Sequence, residues 1–191
     1  MRLARPASMG LGKLLGACGI ATLLVFPMIL IAIQLSPWFS WFDNALSDLG
    51  VSGVAATIFN SSLIAGGVLA SVFSLGVKAV IPGRLSYVGA MLFMLASLSL
   101  IGIGVFPETA GRIHFYFSVA FFVFLALSML VNGVSLFFTS RKLGLFTLLL
   151  GAVSAVVWLF PHRGVAIPEF IAALSGSTWS AVLGFRMLKY V

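Results

Sequence analysis

Apolar residues run in long blocks through this chain, separated by short stretches that hold its charges, prolines and turn-forming residues. A hydrocarbon core about 30 Å thick is crossed by about 20 apolar residues in a helix. Six blocks fit that measure, at residues 14–35, 53–77, 85–106, 113–139, 143–160 and 168–188. Because lipid offers no partner to a free backbone group, such blocks form helices with all their hydrogen bonds internal. The pattern predicts an all-α polytopic membrane protein, a bundle of six transmembrane helices forming a single integral membrane domain over residues 1–191. The first block follows a short basic segment, as a signal peptide would. Its apolar run is too long for one and no small-residue cleavage site follows it, so it reads as a retained span. Pro27, which lacks a backbone donor, is expected to bend it.

Composition agrees with the pattern. The chain is 61% hydrophobic and 8% charged, against about 25% charged in a soluble domain, and its mean hydropathy is +1.20. A cytosolic globular protein is excluded, and the single cysteine, Cys18, excludes an internal disulfide and any multi-cysteine metal site. The net charge of +7 changes meaning once its residues are placed by loop. Arg2, Arg5 and Lys13 precede the first span; Lys78 and Arg84 lie between the second and third, Arg141 and Lys142 between the fourth and fifth, and Arg186 and Lys189 near the end. An excess of Lys and Arg beside span ends marks the cytoplasmic side. Both termini are therefore expected in the cytoplasm, with the protein in the plasma membrane. Anionic headgroups account for the basic balance, and no nucleic-acid partner is needed.

The acids segregate oppositely. Asp43, Asp48, Glu108 and Glu169 all fall on the outer side, with His114, His162, Arg112 and Arg163. Carboxylates contribute little to orientation, so topology does not explain their gathering. Within the membrane, Ser62, Gly66, Ala70 and Ser74 form a small-residue stripe on the second span, and Ala172, Gly176, Ser180 and Gly184 form one on the sixth. Stripes of this kind let helices approach closely, and Asn60 and Asn132 are expected to hydrogen-bond between helices.

At 100° per residue the first outer loop, 36–50, sorts into a polar arc of Ser40, Asp43, Asn44, Ser47 and Asp48 and an apolar arc that includes Trp38 and Trp41. This predicts an amphipathic interfacial helix with both tryptophans at headgroup level. Ser40 and Asp43 resemble a capping box at its start. Asp48 would fall in its last turn, where the dipole disfavours an anion, so an Arg or a ligand would have to compensate it. Glu108, His114 and Asp48 are the candidate catalytic acid and base groups. Asn44, Ser47, Asp43, Arg112 and Arg163 are candidates for substrate binding. His114, His162, Glu108 and Glu169 are candidate ligands for a divalent metal such as Zn²⁺ with an open position for water. The competing reading pairs Glu108 with Arg112 and makes His114 a hydrogen-bonding anchor. His-Glu-x-x-His spacing, a phosphate-binding Gly-rich loop and a Gly-x-Ser-x-Gly elbow are all missing.

Asn44-Ala45-Leu46-Ser47-Asp48-Leu49-Gly50, followed by Phe106-Pro107-Glu108 and then His114, resembles the six-span prokaryotic membrane proteins of the domain of unknown function 998 family. The resemblance covers essentially the whole chain and implies a fold, with no reaction attached. Three functions remain open on the residues: a metal-assisted or acid/base hydrolase acting on lipid-like substrates, a lipid-binding or scaffold protein, and a carrier of small solutes or cations. Membrane lipids are the expected partners. Transport is disfavoured because the midplane holds only uncharged polar groups such as Asn60 and Asn132.

Overall fold

The computed structural model describes residues 6–81 and 83–190, so Arg2 and Arg5 lie outside the described residues. Helices α1 (Pro6–Ala21) and α2 (Val25–Gln34) are joined by a 3-10 turn, Thr22–Leu24. Pro27, expected to bend this span, lies inside α2, and the helix is interrupted just before it. The proline ring crowds the carbonyl four residues back, at Leu23, and the tighter turn relieves the clash. The chain continues through α3 (Gly53–Ser74), a short α4 (Val77–Val80), α5 (Leu85–Val105), α6 (Arg112–Phe137), α7 (Arg141–Val156) and α8 (Ala166–Tyr190). No strand occurs among the described residues. Among the described residues, five helical stretches are long and apolar enough to cross a membrane: Gly10–Gln34, Gly53–Ser74, Leu85–Val105, Arg112–Phe137 and Arg141–Leu159. The sixth block is the 25-residue helix α8, whose serines, glycines, Glu169, Arg186 and Lys189 make it the more polar partner in the bundle.

Chain neighbours pack in sequence, α3 on α5, α5 on α6 and α6 on α7, and α8 then closes back onto α1, α6 and α7. The closure uses the small-residue stripe of α8. At Gly16 and Gly184 the two backbones come so close that a Cβ on Gly184 would land on the carbonyl oxygen of Gly16. One turn away, the Thr22 and Ser180 hydroxyls hydrogen-bond at 2.9 Å, and Ser180 also donates to Gly19 O at 3.2 Å. Without a hydrophobic drive between helices in lipid, close backbone packing and buried hydroxyl bonds supply the attraction. Phe73, Phe93 and Trp179 fill the middle edge to face, with centroids 5.0–6.1 Å apart. The expected asparagine bonds take other routes. Asn60 Nδ2 donates to Gly50 O at 2.9 Å, tying α3 to the preceding loop. Asn132 Nδ2 donates to Ser128 Oγ within α6 at 3.4 Å, and it is Ser128 that crosses to α5, donating to Gly89 O at 2.9 Å.

The segment 36–50 forms no interfacial α-helix. It runs as turns and closes in a 3-10 helix, Leu46–Gly50. Its polar side chains capture the local backbone: Ser40 N–H donates to Asn44 Oδ1 at 2.9 Å and Phe42 N–H to Ser40 Oγ at 3.3 Å. Ser and Asn offer the backbone an alternative to helical bonding, and here the alternative wins. Trp38 is exposed, whereas Trp41 turns inward onto Phe170 of α8, centroid to centroid 5.3 Å.

Because the Gly184 site is bounded by backbone that cannot give, Gly184→Ala should destabilise the folded protein by about 1–3 kcal/mol. Gly10→Ala, where a Cβ meets nothing within 4 Å, should leave stability unchanged or raise it by up to about 1 kcal/mol through the better helix propensity of Ala. Unfolding of both variants in detergent micelles checks the contrast.

Candidate functional site

One end of the bundle gathers three chain segments: the 3-10 helix Leu46–Gly50, the turn after Pro107, and the start of α8. Two backbone bonds dock the first segment on the third, Gly164 N–H to Phe42 O at 2.7 Å and Ala166 N–H to Asn44 O at 2.9 Å. Gly164 is required here, because a Cβ would strike the backbone of Asp43 and Asn44. The docked segment lays its next amide, Leu46 N–H, on Glu169 Oε2 at 2.6 Å. Glu169 is 8% exposed and sits in the first turn of α8, where the helix dipole favours an acid.

Asp48 does not lie in the last turn of a helix. The fold places it in the first turn of the 3-10 helix, and it accepts from Asn44 Nδ2 at 2.7 Å and from Ala45 N–H at 3.0 Å. Its compensation therefore comes from amides and from Glu108, which hydrogen-bonds it directly. No arginine among the described residues takes part. Partial burial alone would raise the Asp48 pKa, but the hydrogen bonds from Glu108, Asn44 and the Ala45 amide together hold it below the usual value. The partner moves the other way. Desolvation, reinforced by the hydrogen bond to Asp48 and by its charge, raises Glu108 to about 7, while a bond from Ser47 pulls slightly downward. Glu108 is exposed as a residue, yet its carboxyl lies between Asp48 and Ser47, whose Oγ donates to it at 3.4 Å. Two adjacent carboxyls of this kind share one proton near neutral pH, and the pair titrates as a unit.

The remaining candidates fall in different places. His114 is 7% exposed, and its Nδ1 lies 2.8 Å from Phe106 O. A carbonyl oxygen only accepts, so Nδ1 carries the proton. His114 thus closes the turn that presents Glu108 and meets no carboxylate. His162 is exposed, with Nε2 3.0 Å from Val157 O. The expected metal set of His114, His162, Glu108 and Glu169 is not assembled: among the described residues no three His, Cys, Asp or Glu side chains are placed to hold a metal ion. The two histidines are each spent on a carbonyl of their own turn. Asp43 takes a bond from Ser40 Oγ at 2.7 Å and faces Arg163 at 3.5 Å, the pair 55% and 83% exposed at the surface. Arg112 is exposed at the first position of α6 and forms no ion pair with Glu108 among the described residues.

Beneath Ser47 and Glu169 a cavity of about 80 Å³ enters the bundle, several times the roughly 10–15 Å³ that one water requires. Its walls come from α2, α3, α5, α6 and α8, including Phe26, Phe59, Phe93 and Phe121, and its far end reaches Thr22 and Ser180. α7 contributes nothing to it. The residue pattern gave no sign of this cavity, nor of the part played by the Ala45 and Leu46 amides, which depends on backbone geometry alone.

Apolar helices that span a bilayer, closed into a bundle over an interior cavity with carboxyls at one end, define an integral membrane protein. The family model described as "Protein of unknown function (DUF998)" matches residues 19–186, and the chain belongs to that family. No curated protein and no solved structure matches it.

The shared proton has a consequence for stability. Glu108 titrates near 7 in the folded state and at 4.5 ordinarily, so its contribution is complete below about pH 4.5 and is lost as pH rises through about 7. Asp48 is shifted down, and its contribution is present above its ordinary value and lost only in strong acid. Between pH 5 and 8 the melting temperature in detergent should therefore fall, and Glu108→Gln, which keeps the hydrogen bond without the charge, should flatten that slope.

Proposed function

We propose that this protein is a membrane hydrolase of the acid/base type, acting on lipid-like substrates that enter the cavity chain-first. The observation that carries this reading is the position of the Asp48–Glu108 pair beside Ser47, which donates to Glu108 and itself lines an apolar cavity. The two carboxyls have the complementary states such chemistry needs. Asp48, held ionised, accepts a proton from a water molecule as that water attacks the substrate's acyl carbon. Glu108, protonated near neutral pH, donates its proton to the leaving group. His114 supports Glu108 by fixing the turn, and Asn44 orients Asp48. Glu169 and Ser47 meet the substrate head at the cavity mouth. The acid/base branch is favoured over the metal-assisted one because the candidate ligands are dispersed.

In this reading α8 is the sixth crossing. It packs along α1, and its C-terminal Arg186 and Lys189 share the basic end with Lys13, Arg84, Arg141 and Lys142. Positive charge beside span ends stays cytoplasmic, which puts both termini inside and the carboxyl pair at the outer leaflet of the plasma membrane. A reporter enzyme active only in the cytoplasm should work when fused to the C-terminus, and activity of a periplasmic reporter there would reverse the topology.

Purified protein in lipid nanodiscs, assayed against a panel of single-chain acyl esters and amides, tests the chemistry. Asp48→Asn and Glu108→Gln should each lower kcat by at least about 100-fold with little change in KM. Wild-type activity should decline as pH rises through about 7, where Glu108 loses its proton, and a metal chelator should leave it unchanged. Full activity in both variants would sink the acid/base mechanism.

A further inference from the structure

The cavity and its head region also define a charge preference. Glu169 is more than nine-tenths buried and lines the cavity. Leu46 N–H engages only one of its oxygens, and the other accepts no hydrogen bond among the described residues. The cavity lining contains no Lys, Arg or His. The two arginines at this end point elsewhere, Arg163 to Asp43 on the surface and Arg112 outward from the start of α6. A phosphate or carboxylate head in the cavity would therefore meet Glu169, with the singly charged Asp48–Glu108 pair behind Ser47 and no basic residue in the lining to receive it, and like charges at close range are strongly selected against. An ammonium head has the opposite fit. It carries three donors and a positive charge, and its bonds to carboxylates are of the stronger, charge-assisted kind.

The shape below limits the tail. Along α8 the lining runs from Glu169 to Ser180, a rise of roughly 16 Å at about 1.5 Å per residue. A slot of that length with about 80 Å³ of room is narrow on average, with space for one alkyl chain and not for two.

We propose that the cavity binds a single-chain amphiphile with a protonated amine head, the chain lying between α2, α3, α5, α6 and α8 and the ammonium held by Glu169 beside the Asp48–Glu108 pair. The proposal deepens the hydrolase reading by naming the class of head the site accepts, and binding alone reports on it without turnover.

The test is equilibrium binding of radiolabelled dodecylamine to the full chain in zwitterionic nanodiscs, with lauric acid, dodecanol, butylamine and dodecyltrimethylammonium as competitors. A variant that fills the slot, Ala173→Phe, measures the amine dissolved in the bilayer itself. Dodecylamine should bind saturably, and lauric acid and butylamine should compete at least tenfold less well. Dodecyltrimethylammonium keeps the charge but offers no N–H donor, so it should compete better than dodecanol and less well than dodecylamine. Glu169→Gln should weaken dodecylamine at least tenfold; if that variant does not fold, Asp48→Asn serves the same comparison. Equal competition by lauric acid, or unchanged binding in Glu169→Gln and in Ala173→Phe, would overturn the proposal. The two readings fail separately. Saturable amine binding with no turnover of any ester or amide refutes the hydrolase and leaves the amine site standing. Turnover of substrates with anionic heads, without amine binding, does the reverse.

Discussion

In a lipid environment a peptide group without a hydrogen-bond partner is so costly that irregular backbone survives only where protein covers it. The carboxyl end of this bundle is organised by that constraint. Segment 42–50 leaves helix geometry, and its peptide groups find partners one after another: Phe42 O and Asn44 O in the backbone before and at the start of α8, Ala45 N–H in Asp48, Leu46 N–H in Glu169, and Gly50 O in Asn60. Two of the four carboxylates in the chain are thereby committed to covering main chain. The same contacts bring those acids within reach of Glu108, so the site is a by-product of keeping an irregular loop satisfied.

The two ways in which acids are used at this end differ in kind. Asp43 and Arg163 form an open ion pair in water, an interaction that contributes little because solvent screens it. Asp48 and Glu108 pair without a cation, and a proton takes the place of one. Such an arrangement is conditional on pH, whereas an arginine would have made it permanent. His114 contributes at one remove, by closing the turn on Phe106 O that sets the angle of Glu108.

The helices were legible in the sequence because apolar length is a local property: each expected block coincides with helix, and five of the six are long and apolar enough to cross a membrane. The segregation of acids was legible for the same reason. The loop was misread because periodicity cannot weigh a helix against capture of the backbone by Ser40 and Asn44, a competition decided by a few short contacts. His114 and His162 looked like metal ligands because sequence shows side chains only, and their partners are the carbonyls of Phe106 and Val157. The cavity was illegible altogether, since residues from five helices enclose it and no one of them carries a recognisable signature.

The closure of α8 onto α1 joins helices at opposite ends of the chain, and this orders events during synthesis. The first loop is made early, but the groups that cover it, Gly164, Ala166 and Glu169, arrive only with the last helix. Until then the Leu46 amide and the Phe42 and Asn44 carbonyls are exposed, and a chain interrupted before α8 would display them to the machinery that inspects nascent membrane proteins. The contacts that complete the carboxyl site thus depend on α8 being in place.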